Sequence, residues 1–114
     1  MDILDRDLLF QNVDGDAELL REIVDLFYES SREIVGNLRQ AVSSQDGDEV
    51  NRTAHQLKGA LANVGAEAAA AAAGALESAG RTGETTVFPD AFVKLESELE
   101  RLQPELNEFV ESLE

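Results

Sequence analysis

The chain contains no cysteine, which excludes a disulfide scaffold and any metal site built on thiolates. This absence fits a reducing, cytoplasmic setting. No apolar run approaches the roughly 20 residues needed to cross a bilayer. The opening stretch, Met-Asp-Ile-Leu-Asp-Arg-Asp, has neither the positive region nor the apolar core of a secretory signal. The expectation is a soluble chain without membrane contact of its own. Basic residues are scarce as well: 9 Lys and Arg stand against 24 Asp and Glu, a net charge of −15. Such a surface repels polyanions, so nucleic acid is excluded as a partner. The same charge supports solubility, and a partner would have to offer apolar or basic surface. Histidine occurs once, which leaves only carboxylates to complete a metal site, and none is expected. There is no glycine-rich phosphate loop, and the chain is not expected to phosphorylate itself from ATP.

What is present is helical. The 114 residues, 43% of them hydrophobic, amount to one domain, residues 1–114, with enough apolar surface to fold. Strand signals are scarce, and no repeat has a solenoid period. A short amphipathic segment, Ile3 to Gln11, stops at Asn12-Val13-Asp14-Gly15. Asp16 stands as an N-cap ahead of a long helix reaching about Ser44, in which Leu20, Ile23, Val24, Phe27, Ile34, Leu38 and Val42 recur at helical spacing. Asp46 and Glu49 read as a capping box opening a third helix, with Val50, Ala54, Leu57, Leu61 and Val64 as its apolar stripe and Gly65 as its stop. A fourth, alanine-rich helix is predicted from Ala66 to Ala79, ended by Gly80. The last begins near Pro89 and carries a seam of Phe92, Leu95, Leu99, Leu102, Leu106, Phe109 and Leu113, with a bend expected at Pro104. Four long amphipathic helices with short connections predict an all-α, antiparallel four-helix bundle with a short additional N-terminal helix.

The third helix carries the lone histidine. At about 100° per residue, His55 lies roughly 140° from the centre of the apolar stripe, so it faces outward. Asn51, Lys58, Gly59 and Ala62 fall on the same side. A free imidazole titrates near neutrality and supplies a nucleophilic nitrogen at physiological pH. Lys58, at i+3, is within reach of a phosphoryl group on the ring. Gly59 and Ala62 leave room for such a group and for a partner's active site. Spacing alone favours an ordinary exposed histidine beside an ordinary lysine, a commonplace pair, with Gly59 serving helix packing.

The stretch Ala54-His55-Gln56-Leu57-Lys58-Gly59-Ala60, followed by Asn63-Val64-Gly65-Ala66, resembles the signature of the histidine-containing phosphotransfer (HPt) domains. Gly15 to Phe27 resembles the family's second helix, and Ala75-Leu76-Glu77 its fourth. The resemblance covers about residues 4 to 103. It implies a phosphorelay intermediate in which His55 is phosphorylated on Nε2, Lys58 stabilises the phosphoryl group and Gly59 keeps the site clear. Glu77 falls where many members place a Glu or Gln facing the histidine, which implies a bond to Nδ1–H; a solvated helix residue is the other reading. The implied partners are a response-regulator receiver domain, which would bring the Mg²⁺ ion, and a hybrid histidine kinase. The docking face would include Asn51, Arg52, Gln56 and Ala62. The chain itself would be a monomeric phosphocarrier without a cofactor rather than a self-sufficient enzyme. It departs from the family in its fourth helix, which is mostly alanine where large aliphatics are usual. Two rivals stand beside this reading. One is a kinase dimerisation domain, which usually has an acidic residue directly after the histidine, where this chain has Gln56. The other is an acidic helical adaptor in which His55 has no chemical role.

Overall fold

A computed structural model describes all 114 residues, Met1–Glu114. Five α-helices follow one another: α1 (Arg6–Asn12), α2 (Ala17–Ser43), α3 (Gly47–Asn63), α4 (Glu67–Thr82) and α5 (Phe88–Leu113), the last entered through a single 3-10 turn at Thr85–Val87. The long helices pack as neighbours in the order α2–α3–α4–α5, and α5 returns to α2. Cross-links give the directions. Tyr28 reaches Asn107 while Arg39 reaches Glu96, so residue numbers rise along α2 as they fall along α5. Gly47 abuts Gly80 and Asn51 reaches Glu77, so α3 and α4 also run opposite ways. The expected antiparallel four-helix bundle with an extra N-terminal helix is the observed architecture.

Local chemistry explains the helix ends. The Asp16 carboxylate accepts from the backbone N–H groups of Glu18 and Leu19 at the start of α2, satisfying donors that have no intrahelical partner. Asp46 does the same for Glu49 at 3.2 Å. The reciprocal half of that capping box is not formed. The Asp46 N–H donates to the Ala41 carbonyl instead, and the Glu49 carboxylate pairs with Arg52 at 2.8 Å. Helix α1 begins at Arg6 rather than Ile3, because Asp5 is its cap and the residues before it are tied elsewhere. The Asp5 N–H donates to the Gly65 carbonyl at 2.7 Å and the Ala68 N–H to the Asp2 carbonyl at 3.0 Å. The N-terminal strand of chain thus clasps the α3–α4 junction, where Gly65 has φ +75° and a Cβ would lie 2.8 Å from the Asp5 carbonyl oxygen.

The core follows the predicted stripes. Val50, Ala54, Leu57, Leu61 and Val64 are all buried, together with Leu20, Val24, Phe27 and Leu38 of α2 and Phe92, Leu95, Leu102, Leu106 and Phe109 of α5. The alanines of α4 are small enough to bring this helix close to its neighbours, and Ala69, Ala72, Ala73 and Ala79 are buried with Leu76. One further expectation is corrected. Helix α4 does not end at Gly80; it continues to Thr82 and stops at Gly83, which is left-handed. Helix α5 continues past Pro104 to Leu113, so the proline does not end it.

Candidate functional site

His55 stands one face round from the α3 stripe, and its side chain is 71% exposed. The outward direction follows from the helix: with Ala54 and Leu57 fully buried, the residue between them on the wheel's far side faces solvent. Across the α3–α4 pairing stands Glu77, three-quarters buried or more, with 19% of its side chain exposed. Its two oxygens divide their work. Oε2 lies 2.5 Å from His55 Nδ1 and Oε1 accepts from Lys58 Nζ at 2.7 Å. A carboxylate can only accept, so Nδ1 must carry the proton. The nitrogen left with a lone pair is Nε2, on the solvent side of the ring.

Lys58 holds the Glu77 carboxyl below the usual carboxylate range through its hydrogen bond. Burial opposes this, and the His55 hydrogen bond reinforces it. Glu77 is therefore ionised whenever the imidazole is in use. A carboxylate with a depressed pKa stabilises the fold fully above its unfolded value, about 4.3, and loses that contribution as pH falls through the lower folded value. Wild type should accordingly exceed Glu77→Gln in stability by about 0.5–1 kcal/mol near neutrality, a partly exposed pair being worth no more. The gap should close as the pH is lowered beneath about 4. Urea unfolding at stepped pH checks this; parallel curves for the two proteins down to acid would remove the ion pair from the account.

The other residues singled out in the sequence separate into two groups. Gly59 is exposed, and a Cβ built on it would meet no atom within 4 Å. Gln56 and Ala62 are exposed beside it, and Arg52 is exposed while paired with Glu49. Asn51 differs from its predicted place on the open face. It is half-buried, and its side-chain amide donates to the Glu77 carbonyl at 2.9 Å. Sequence reasoning also passed over Gly74, one turn before Glu77. A Cβ there would contact the Lys58 stem at 3.5 Å, so the lysine crosses α4 over this glycine on its way to Glu77. No three His, Asp or Glu side chains are grouped so as to hold a metal ion, and no helix is long and apolar enough to cross a membrane.

Comparison with known proteins places the chain in a family. The family model described as "Hpt domain" matches residues 22–105, which includes all of α3 and α4 and every residue of the His55–Lys58–Glu77 cluster. The chain belongs to the Hpt family. It is thus a histidine-containing phosphotransfer intermediate of phosphorelays, and its family partners receiver domains and histidine kinases in two-component relays. The fold agrees. Histidine-containing phosphotransfer protein B from Pseudomonas aeruginosa PAO1 superposes with a TM-score of 0.88 over 96% of each chain, at 24% sequence identity. No curated protein sequence matches the chain significantly. This Hpt domain has one histidine, His55.

Proposed function

We propose that His55 Nε2 takes a phosphoryl group from the aspartyl phosphate of a receiver domain, or from a histidine kinase, and passes it to the aspartate of another receiver. The observation that carries this is the Nδ1–Glu77 bond, which leaves the nucleophilic nitrogen on the open side of the bundle. In the accepting direction the Nε2 lone pair attacks phosphorus in line. The P–O bond to the aspartate breaks, and the carboxylate departs with the electron pair. As the N–P bond forms, the ring becomes positive, and the Glu77 carboxylate beside Nδ1–H opposes that charge. Return of the group reverses each step. This transfer depends on positioning and charge stabilisation. The chain supplies the nucleophile and its orientation; the receiver supplies the Mg²⁺ ion and the leaving or accepting carboxylate. It acts as a carrier with no ATP site of its own, a single domain over residues 1–114, monomeric and cytoplasmic.

The receiver docks on the open face of α3, where Arg52, Gln56, Gly59 and Ala62 surround His55. Small side chains at 59 and 62 admit the receiver's active-site rim, and Arg52 and Gln56 offer polar contacts at the edge. The exchange suits a transient interface. Incubation with a receiver carrying a radiolabelled aspartyl phosphate tests the proposal: label should move to this chain in an acid-labile, base-stable form. Chain that stays unlabelled with a panel of phosphorylated receivers and kinases would leave only a helical adaptor.

Lys58 has a second role in this reading. At rest its ammonium is engaged by Glu77, but its side chain is 42% exposed and long enough to turn toward a phosphoryl group on Nε2. Lys58→Ala should slow acceptance by about tenfold, the scale of losing one charge-assisted contact to the transferred group. Rapid-quench transfer kinetics read this directly, and a rate equal to wild type would confine Lys58 to holding Glu77.

A further inference from the structure

Two features outside the site meet one turn away from it. On α3, Asn51 precedes His55 by one turn; on α4, Gly80 follows Glu77 by nearly one. At this level the two backbones are in contact. A Cβ on Gly80 would lie 2.6 Å from the Asn51 backbone nitrogen and 2.7 Å from the Gly47 carbonyl oxygen, and one on Gly47 would lie 2.8 Å from the Gly80 carbonyl oxygen. These neighbours are main-chain atoms that cannot swing aside. The Asn51 amide then bridges to the Glu77 carbonyl at 2.9 Å. That carbonyl already belongs to the α4 ladder, so the bond uses its second lone pair and pins the residue that carries the carboxylate.

We infer that Asn51 is a positioning residue which, with the Gly47–Gly80 crossing, sets where α4 lies on α3 and so holds Glu77 opposite His55 Nδ1. The inference rests on the proposed role of Glu77 in orienting the ring. The distances make the dependence steep. Ordinary contact for an added Cβ begins near 3.4 Å, so an alanine at 80 must push the helices apart by roughly 0.8 Å. A displacement of that size takes a hydrogen bond of 2.5 Å to the edge of its useful range. The ring then loses the partner that keeps the proton on Nδ1, and a larger share of it carries the proton on Nε2, where it blocks attack.

The test reads the tautomer itself. Uniformly ¹⁵N-labelled full-length chain is examined by long-range ¹H–¹⁵N correlation at a pH where the ring is neutral. Wild type should show predominantly Nδ1–H. Asn51→Ala, which adds no bulk, and Gly80→Ala should each move the Nδ1–H to Nε2–H ratio at least about threefold toward Nε2–H, and slow phosphoryl acceptance by a similar factor or more. Val24→Ala, a core truncation on α2 far from the crossing, lowers stability and should leave the ratio and the transfer rate unchanged. Glu77→Ala separates the two levels of the argument. If it shifts the ratio while Asn51→Ala and Gly80→Ala do not, the positioning inference is overturned and the orientation reading stands. If Glu77→Ala also leaves the ratio as in wild type, both fall.

Discussion

His55→Gln should accept no phosphoryl group from any donor, and its far-ultraviolet circular dichroism and melting temperature should match those of wild type. The two halves of the result have separate causes. A glutamine amide nitrogen has its lone pair delocalised into the carbonyl and cannot attack phosphorus, so the loss is complete rather than graded. No other residue can substitute, because the chain has no second histidine. The fold is spared because the imidazole is mostly in solvent, and exposed substitutions of this kind usually change stability by less than about 0.5 kcal/mol. The Lys58–Glu77 pair, which joins α3 to α4, does not need the ring. Acid-labile label recovered equally from variant and wild type would place the phosphoryl group elsewhere and end the assignment of His55.

The second large effect should come from a residue with no reactive group. Gly59→Gln is expected to reduce transfer by about a hundredfold, on the scale seen when reacting groups are held out of alignment. The same change should leave the protein as stable as wild type or more so. Glycine inside a helix costs about 1 kcal/mol relative to a good helix former, and glutamine recovers most of that. In a domain of this size the gain corresponds to a few degrees in melting temperature. Stability can rise because a Cβ at this position meets nothing within 4 Å; the bulk is directed outward, into the volume a docking receiver would occupy. Opposite signs for stability and transfer distinguish clearance for a partner from a packing role, in which both would fall together. A Gly59→Gln chain that accepts phosphoryl at the wild-type rate would show that the partner does not approach across this position.

Much of the molecule was legible without coordinates, and the reason is the regularity of helices. A period of 3.6 residues converts spacing into direction, so the α3 stripe named its own core and, by opposition, turned His55 outward. Carboxylate caps at Asp16 and Asp46 marked helix starts because the unpaired N–H groups of a first turn need an acceptor. Where sequence and structure part, a residue has two lawful uses. Glycine ends helices and also permits backbones to touch; Gly80 does the second, leaving the stop to Gly83. Glu49 completes a capping box or pairs with a lysine or arginine one turn on, and Arg52 won.

The amino-acid order alone determined the number and kind of helices, the outward face of His55, the cation at 58 and the gap at 59, since all of these follow from intervals along one helix. Where α4 lies against α3 is a different matter. That Glu77 bridges Nδ1 and Lys58, that Lys58 passes over Gly74, and that Asn51 holds the α4 backbone instead of facing a partner all depend on the separation and register of two helices. No single helix's periodicity contains that information. Here it is supplied by two glycines meeting across the bundle and by a clasp of N-terminal chain at their far end.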